Sequence, residues 1–311
     1  MRRQTELIWG LIAVALVAWW VARSLGALPS GLDDFILRAL PALLILIGLT
    51  YLLRRRIPLS SGVALALTAL IVAGVGYAAY SSRASQMRSE NEQLVSQTVN
   101  PELDLLRVRV GTLATDVELI AGTASDVVGG QFVGSSDNTV EVDYQELGDG
   151  TATLTLFETR KSGEFPMLET VGRGTFRLDL PVDIPMDIEF VSDQGGVVLN
   201  MAGVALERLN VTASNGDLVV TLPDYNPIYS QPEDVLGTLE ASTGALVLVV
   251  PSTVAARLEL NALSSGIAPE FDPTQYDELV GGVLQDKDIR LAPNVITYAL
   301  EARRIRVETS G

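Results

Sequence analysis

Few of the residue types that carry out acid–base or metal chemistry are present in this chain of 311 residues. The chain contains no cysteine and no histidine, and Lys161 and Lys287 are its only lysines. Thiol nucleophiles, disulfides, thiolate or imidazole metal ligands and histidine general bases are therefore excluded. The groups that remain are carboxylates, hydroxyls, tyrosines and arginines.

Carboxylates two residues apart are the remaining candidates for catalysis. The pairs are Asp116 with Glu118, Glu141 with Asp143, and Asp286 with Asp288. Glycoside hydrolysis needs two carboxyl groups at a set separation. In an acidic chain, the same spacing also arises on the solvent-exposed face of a strand. The oxygen-rich turns 135–138 and 148–150 lack the spacing of calcium loops. We therefore predict no enzymatic activity, no catalytic residue, no metal site and no cofactor.

The chain divides near residue 80 into two parts of opposite net charge. The net charge of −16 is unevenly divided. Residues 1–80 carry +4, from seven arginines against three acids, and residues 81–311 carry the remaining −20. An acidic domain repels phosphate backbones, so nucleic acid is not expected as a partner.

Three apolar stretches in the first eighty residues predict membrane-spanning helices. They are residues 7–22, 35–53 and 62–80. Helices of 16–19 residues are roughly 24–29 Å long, close to the thickness of a bilayer core. Five arginines would mark the cytoplasmic side: Arg2, Arg3, Arg54, Arg55 and Arg56. The prediction is a multi-pass plasma-membrane protein with a cytoplasmic N-terminus, an extracytoplasmic C-terminal domain and the lipid bilayer as a partner.

A polar segment, 81–104, follows the apolar stretches. It contains helix formers such as Gln86, Glu90 and Gln93, and Pro101 comes near its end. This composition predicts a juxtamembrane helix or linker that ends before the proline.

Residues 105–311 show the two-residue alternation of half-buried strands. Apolar residues alternate with polar ones at Val140–Tyr144, Phe176–Leu180, Leu258–Leu260 and Ile305–Val307. A strand, a Ser-x-Gly turn and a second strand also recur, with Gly195, Gly216 and Gly244 in equivalent places. Glycine allows the positive φ that a tight corner requires. Since a single repeat cannot bury its own apolar face, copies must stack. We predict an acidic, all-β, solenoid-like repeat stack, with a twisted β-sandwich as the alternative.

These features together resemble the LiaF-like bacterial membrane proteins, which are associated with the response to cell-wall-active antibiotics. The repeats Leu209–Pro223 and Thr238–Pro251 are similar to the adhesin-like "toast-rack" β-domain of that group. The resemblance implies a non-enzymatic protein that modulates or scaffolds partners in envelope-stress signalling, such as a membrane sensor kinase. The alternative is a structural or adhesive surface module that forms homo-oligomers or binds cell-wall material.

A segment without the repeat pattern lies between the two best copies. It contains Tyr225, Pro227, Tyr229 and Pro232. Binding residues occur more often on loops than on the strands that support them. These four residues are therefore the predicted partner-contact loop.

Overall fold

The described part of the chain is nearly all β. The structure, a computed structural model, describes residues 82–161, 171–229, 234–262 and 268–310. The strands are β1 (Asn91–Thr98), β2 (Leu105–Thr112), β3 (Thr115–Ala121), β4 (Val127–Gly134), β5 (Asn138–Glu146), β6 (Thr151–Arg160), β7 (Gly174–Leu180), β8 (Met186–Ser192), β9 (Val197–Asn200), β10 (Leu206–Ala213), β11 (Leu218–Thr221), β12 (Val235–Pro251), β13 (Ala255–Ala262), β14 (Tyr276–Leu279), β15 (Val283–Asp286) and β16 (Val295–Ser310). Of the two compact units into which the chain divides, the one formed by Ser85–Glu164 and Gly172–Gly311 contains all of these strands.

The predicted fold class, a three-span helical region joined to an all-β domain, was wrong. Within the described ranges, no helix is long and apolar enough to cross a membrane. This finding also contradicts the predicted multi-pass plasma-membrane localisation. The predicted spans (7–22, 35–53 and 62–80) and their arginines (Arg2, Arg3, Arg54, Arg55 and Arg56) lie outside the described residues. That prediction depended on length, hydropathy and the aromatic and arginine residues near the ends of the stretches, and apolar runs of this length also occur in helices buried within a protein.

The helix predicted in segment 81–104 was wrong for most of its length. Asn91–Thr98 forms β1, which pairs antiparallel with β4. Val95 is buried. The side-chain NH₂ of Gln93 donates to the Val140 carbonyl at 2.7 Å, and its side-chain oxygen accepts from the Val140 amide at 3.0 Å. Helix propensity is a weak preference, and strand pairing with distant residues outweighs it here.

Two parallel ladders share one 16-stranded sheet. Ladder A runs in the order β6, β2, β8, β10, β12, β16 and β13. Ladder B runs in the order β7, β3, β9, β11, β12 and β16. A rung is a segment that crosses from ladder A to ladder B, such as β2–β3, β8–β9 or β10–β11. The long strands β12 and β16 each form both halves of a rung.

The core lies along the inward-facing rows of these ladders. In ladder A, Val108, Ile188 and Leu209 are neighbours in register, and each is fully buried. In ladder B, the same holds for Leu199 and Val220. Burying an aliphatic side chain of this size stabilises a fold by roughly 1.5–3 kcal/mol. Repetition of these rows along the ladders is what holds the rungs together.

The corner glycines stack in a column, for a reason other than the predicted one. Gly195 has a positive φ of 124°, but Gly216 and Gly244 do not. A Cβ on Gly216 would lie 1.8 Å from the carbonyl oxygen of Gly195, and one on Gly244 would lie 1.9 Å from that of Gly216. The close approach of successive rungs, and not the backbone angle, therefore requires glycine at these two corners.

Candidate partner-contact surface

The predicted partner-contact loop follows β11. Residues 225–229 are described, whereas Pro232 lies outside the described residues. Ile228 and Tyr229 are 64% and 57% exposed, and Tyr225 and Pro227 are half-buried. The structure therefore places three of the four predicted residues in one segment and adds Ile228 to its exposed surface.

A buried carboxylate holds this segment in place. Glu207 on β10 is only 2% exposed. Its Oε1 accepts hydrogen bonds from the Tyr225 hydroxyl at 2.8 Å and from the Ile228 amide at 3.0 Å. Its Oε2 accepts one from the Tyr229 amide at 2.9 Å. Hydrogen bonds to an ionised acceptor are roughly twice as strong as neutral ones, so the backbone of the exposed residues is fixed.

A β-bulge directs Glu207 inward. The register between β10 and β8 shifts between Leu206 and Arg208, and both Leu206 and Glu207 are buried. A bulge inserts one residue without a cross-strand partner and changes the direction of its side chain. The sequence signal is the three-residue step from Leu206 to Leu209, where the alternation elsewhere has steps of two. The sequence therefore carries a signal for Glu207, which was not among the predicted contact residues.

The hydrogen bonds of Glu207 also affect the tyrosine below the exposed surface. Burial raises the pKa of Tyr225, and the hydrogen bond to Glu207 and its negative charge raise it further. The phenol therefore stays protonated at neutral pH and acts as a hydrogen-bond donor. Tyr225 therefore serves as an anchor beneath the exposed side chains of Ile228 and Tyr229.

A cleft of about 560 Å³ lies beside Tyr229 on ladder A. Asp187 on β8 lies between Arg107 on β2 and Arg208 on β10 in the register of the ladder. Burial raises the pKa of Asp187, and the two arginines act in the opposite direction. The cleft therefore combines fixed charges of both signs with the exposed ring of Tyr229. Such an arrangement suits contact with a protein or polymer surface.

The other predicted candidates have structural partners. Asp116 accepts a hydrogen bond from the Gly196 amide at 2.8 Å and lies 3.5 Å from Arg173. Glu118 lies 3.7 Å from Arg177. Glu141 and Asp143 are exposed on β5. In the described part of the chain, no three acidic, histidine or cysteine side chains are grouped so as to hold a metal ion.

One solved structure is similar to the chain in fold. It is described as a "putative cell adhesion protein" from Clostridium sporogenes, with a TM-score of 0.58 and 16% identity. The similarity covers 71% of this chain and 100% of that one. A "putative adhesin" from Bacteroides fragilis has a TM-score of 0.28 and 13% identity, over 72% of this chain and 98% of that one. The TM-score of that second structure is too low to inform the fold. No curated protein matches the sequence significantly.

Residues 83–227 match the family model described as the N-terminal domain of toast_rack, DUF2154. The comparisons thus support the toast-rack part of the predicted resemblance, and they do not extend to the LiaF-like membrane identity. The matched toast-rack segment begins before β1 and ends within the Tyr225–Tyr229 segment. It includes Glu207 and its bulge. The exposed pair Ile228 and Tyr229 follows directly after it.

Proposed function

We propose that this protein is a non-enzymatic, structural or adhesive surface module that binds its partner through Ile228 and Tyr229. The observation that carries the proposal is the fixation of an exposed apolar pair by the buried Glu207. Tyrosine is favoured at binding hot spots, and a contact residue fixed in advance loses little entropy on binding. The similar fold of the Clostridium sporogenes protein, which is described as a "putative cell adhesion protein", agrees with adhesion.

The partner surface is either a second copy of the chain or bacterial cell-wall material. Both suit a surface that is apolar at Ile228 and Tyr229 and charged in the cleft beside them. A role in envelope-stress signalling followed from the LiaF-like resemblance, and no described contact favours it over adhesion.

The test measures adhesion of beads that carry the full chain. Bead clustering reports binding between copies, and retention on isolated bacterial cell walls reports binding to wall material. We expect the double variant Ile228→Ser/Tyr229→Ser to lower one of the two by at least tenfold, because hot-spot residues contribute about 2 kcal/mol or more each.

The matched control is Val280→Ser, which removes another exposed apolar side chain, in the turn between β14 and β15 and outside the cleft beside Tyr229. This control should adhere like the unmodified protein. Undiminished adhesion of the double variant would contradict the proposal, as would failure of the unmodified protein to adhere in both assays.

A further inference from the structure

A second cleft, of about 620 Å³, lies beside the C-terminal ends of β12 and β16, the strands that form the last two rungs. Its lining comes from the turn after β12, the loop before β14, the end of β15, the loop before β16 and the end of β16. Its volume falls within the range of about 300–1,000 Å³ that is typical of small-molecule sites. It is separate from the surface around Tyr229, since the two clefts share no lining residue.

Two carboxylates in this cleft are already oriented by hydrogen bonds. Oδ1 of Asp272 accepts hydrogen bonds from the amide and the hydroxyl of Thr274, at 2.8 and 2.7 Å. These bonds lower the pKa of Asp272, so it is ionised at neutral pH. Oδ1 of Asp286 accepts a hydrogen bond from the Asp288 amide at 2.8 Å, and Asp286 is only 6% exposed. In both cases the described hydrogen bonds engage one oxygen, and Oδ2 is available to a ligand.

A buried phenol beneath the cleft has no hydrogen-bond partner. Tyr276 is 2% exposed, and its hydroxyl neither donates nor accepts a hydrogen bond among the described residues. Burial and the negative charge of Asp286 raise its pKa, and nearby Thr309 acts weakly in the opposite direction. Asp286 and Thr309 both line the cleft. Tyr276 does not itself line the cleft, so a ligand would contact Asp286 and Thr309 and not the phenol.

The donors and acceptors of the cleft restrict the ligand class. Asp272, Asp286 and Asp288 outnumber Lys287, so anions are disfavoured. Thr309 donates to Oε1 of Gln275, which leaves the amide NH₂ of Gln275 as a donor toward a ligand. Apolar side chains contribute the rest of the lining: Val254, Ala255, Leu291, Ala292 and Pro293. Alternating donors and acceptors beside apolar atoms match the hydroxyls and C–H faces of a sugar ring.

We infer that this cleft binds a neutral saccharide, with Asp272 and Asp286 accepting hydrogen bonds from sugar hydroxyls. The site goes beyond the proposed adhesive contact and does not depend on it. It gives the protein a glycan-binding function at the end of the ladders opposite β5 and β6.

The test titrates the full chain by calorimetry with three tetrasaccharides of equal size. One is the neutral tetramer of N-acetylglucosamine, one its fully deacetylated, cationic form, and one the anionic tetramer of galacturonic acid. We expect the neutral tetramer to bind, and to bind more tightly than the anionic one. The excess of acids attracts the cationic form, so its binding should weaken with added salt, whereas that of the neutral tetramer should not. The variant Asp286→Asn keeps the acceptor for the Asp288 amide and removes the charge, so affinity should fall about tenfold.

Two further variants separate binding from folding. Tyr276→Phe removes a hydroxyl that lies beneath the cleft and is closed to solvent, so the variant should fold and should bind the tetramer normally. Glu278→Gln, on exposed β14 outside the cleft, should leave affinity unchanged. The double variant Ile228→Ser/Tyr229→Ser should also bind the tetramer normally, which distinguishes this site from the adhesive surface.

Three outcomes would overturn the inference. They are no binding of the neutral tetramer, tighter binding of the anionic tetramer, and unchanged affinity in Asp286→Asn.

Discussion

Glu207 shows how one side chain can determine whether a loop is a rigid surface or a mobile one. It is the acceptor for two backbone amides and one phenol of the Tyr225–Tyr229 segment. Buried donors left without a partner cost about 1–3 kcal/mol each. Glu207 was missed in the sequence because its position depends on a bulge, whereas the exposed Tyr229 was found because its segment interrupts the repeat pattern.

The first prediction concerns Glu207. We expect Glu207→Ala to lower the free energy of unfolding by about 2–4 kcal/mol, since it leaves the amides of Ile228 and Tyr229 unpaired. Glu207→Gln keeps one acceptor oxygen and should cost less. Urea unfolding measures both effects, and limited proteolysis near residue 228 reports local opening. Equal stability of Glu207→Ala and the unmodified protein would show that the carboxylate does not hold the segment.

The second prediction concerns the unpaired hydroxyl of Tyr276. Without ligand, Tyr276→Phe should be as stable as the unmodified protein at pH 7, or more stable by about 1 kcal/mol, because a buried unsatisfied hydroxyl is removed. The pKa of Tyr276 is raised from 10.0 to about 12 in the folded protein. Between these values the unfolded chain loses the proton first, so stability falls as pH rises through that window.

Tyr276→Phe should therefore lose less stability than the unmodified protein between pH 10 and about 12. Tyr298, whose pKa burial also raises, still titrates in the variant, so the alkaline loss is reduced and not abolished. Urea titrations at pH 7 and pH 11 measure both effects. A large destabilisation by Tyr276→Phe at pH 7 would mean that the hydroxyl has a structural partner after all.

The strands of the rungs supply lining residues to both clefts. Glycine at the corners allows successive rungs to approach closely. Gly216 and Gly244 each lie against the backbone carbonyl of the preceding rung. Backbone atoms in a paired ladder cannot turn aside as a flexible side chain can. A methyl group at either corner must therefore push two rungs apart.

The third prediction concerns these corners. Gly216→Ala and Gly244→Ala should each lower the free energy of unfolding by about 3 kcal/mol or more, the upper range for overpacking in a core. Gly129→Ala on β4 is the control, because nothing lies within 4 Å of the Cβ that it adds. Thermal unfolding of the three variants checks this expectation. Similar melting temperatures for all three would mean that the corners can relax.

The strands that could be predicted from the sequence were those with a local residue pattern. Alternation at Phe176–Leu180 indicated a strand, and β7 covers that segment. The equivalence of Gly195, Gly216 and Gly244 was visible in the repeat, but the reason for glycine was not, since close approach is a property of neighbouring rungs. The strand at Asn91–Thr98 was missed because its pairing partners lie 29 to 43 residues away in the sequence. Composition favoured a helix there, and nothing local indicated β4.

At the scale of the whole molecule, the decisive property is the charge of −16. The described ion pairs are mostly exposed; examples are Arg109 with Glu189 at 3.2 Å and Arg177 with Asp179 at 3.3 Å. Exposed pairs contribute about 0–1 kcal/mol each, and salt weakens them. Salt also weakens repulsion among acids, which outnumber the basic residues by 38 to 22. Because the excess of acids is large and the pairs are weak, we expect reduced repulsion to dominate.

The fourth prediction follows from that balance. Raising NaCl from 10 to 150 mM should increase the urea concentration at the midpoint of unfolding, because the screening length shrinks from about 30 to about 8 Å. Most of the gain should be complete by then, as salt beyond that concentration adds little further screening at the distances between surface charges. The control is Glu240→Gln/Glu301→Gln, which removes two acids that are neighbours in register on β12 and β16 and should raise the midpoint at 10 mM NaCl while reducing its dependence on salt. A midpoint that falls with added salt would mean that the exposed ion pairs outweigh repulsion across the ladders.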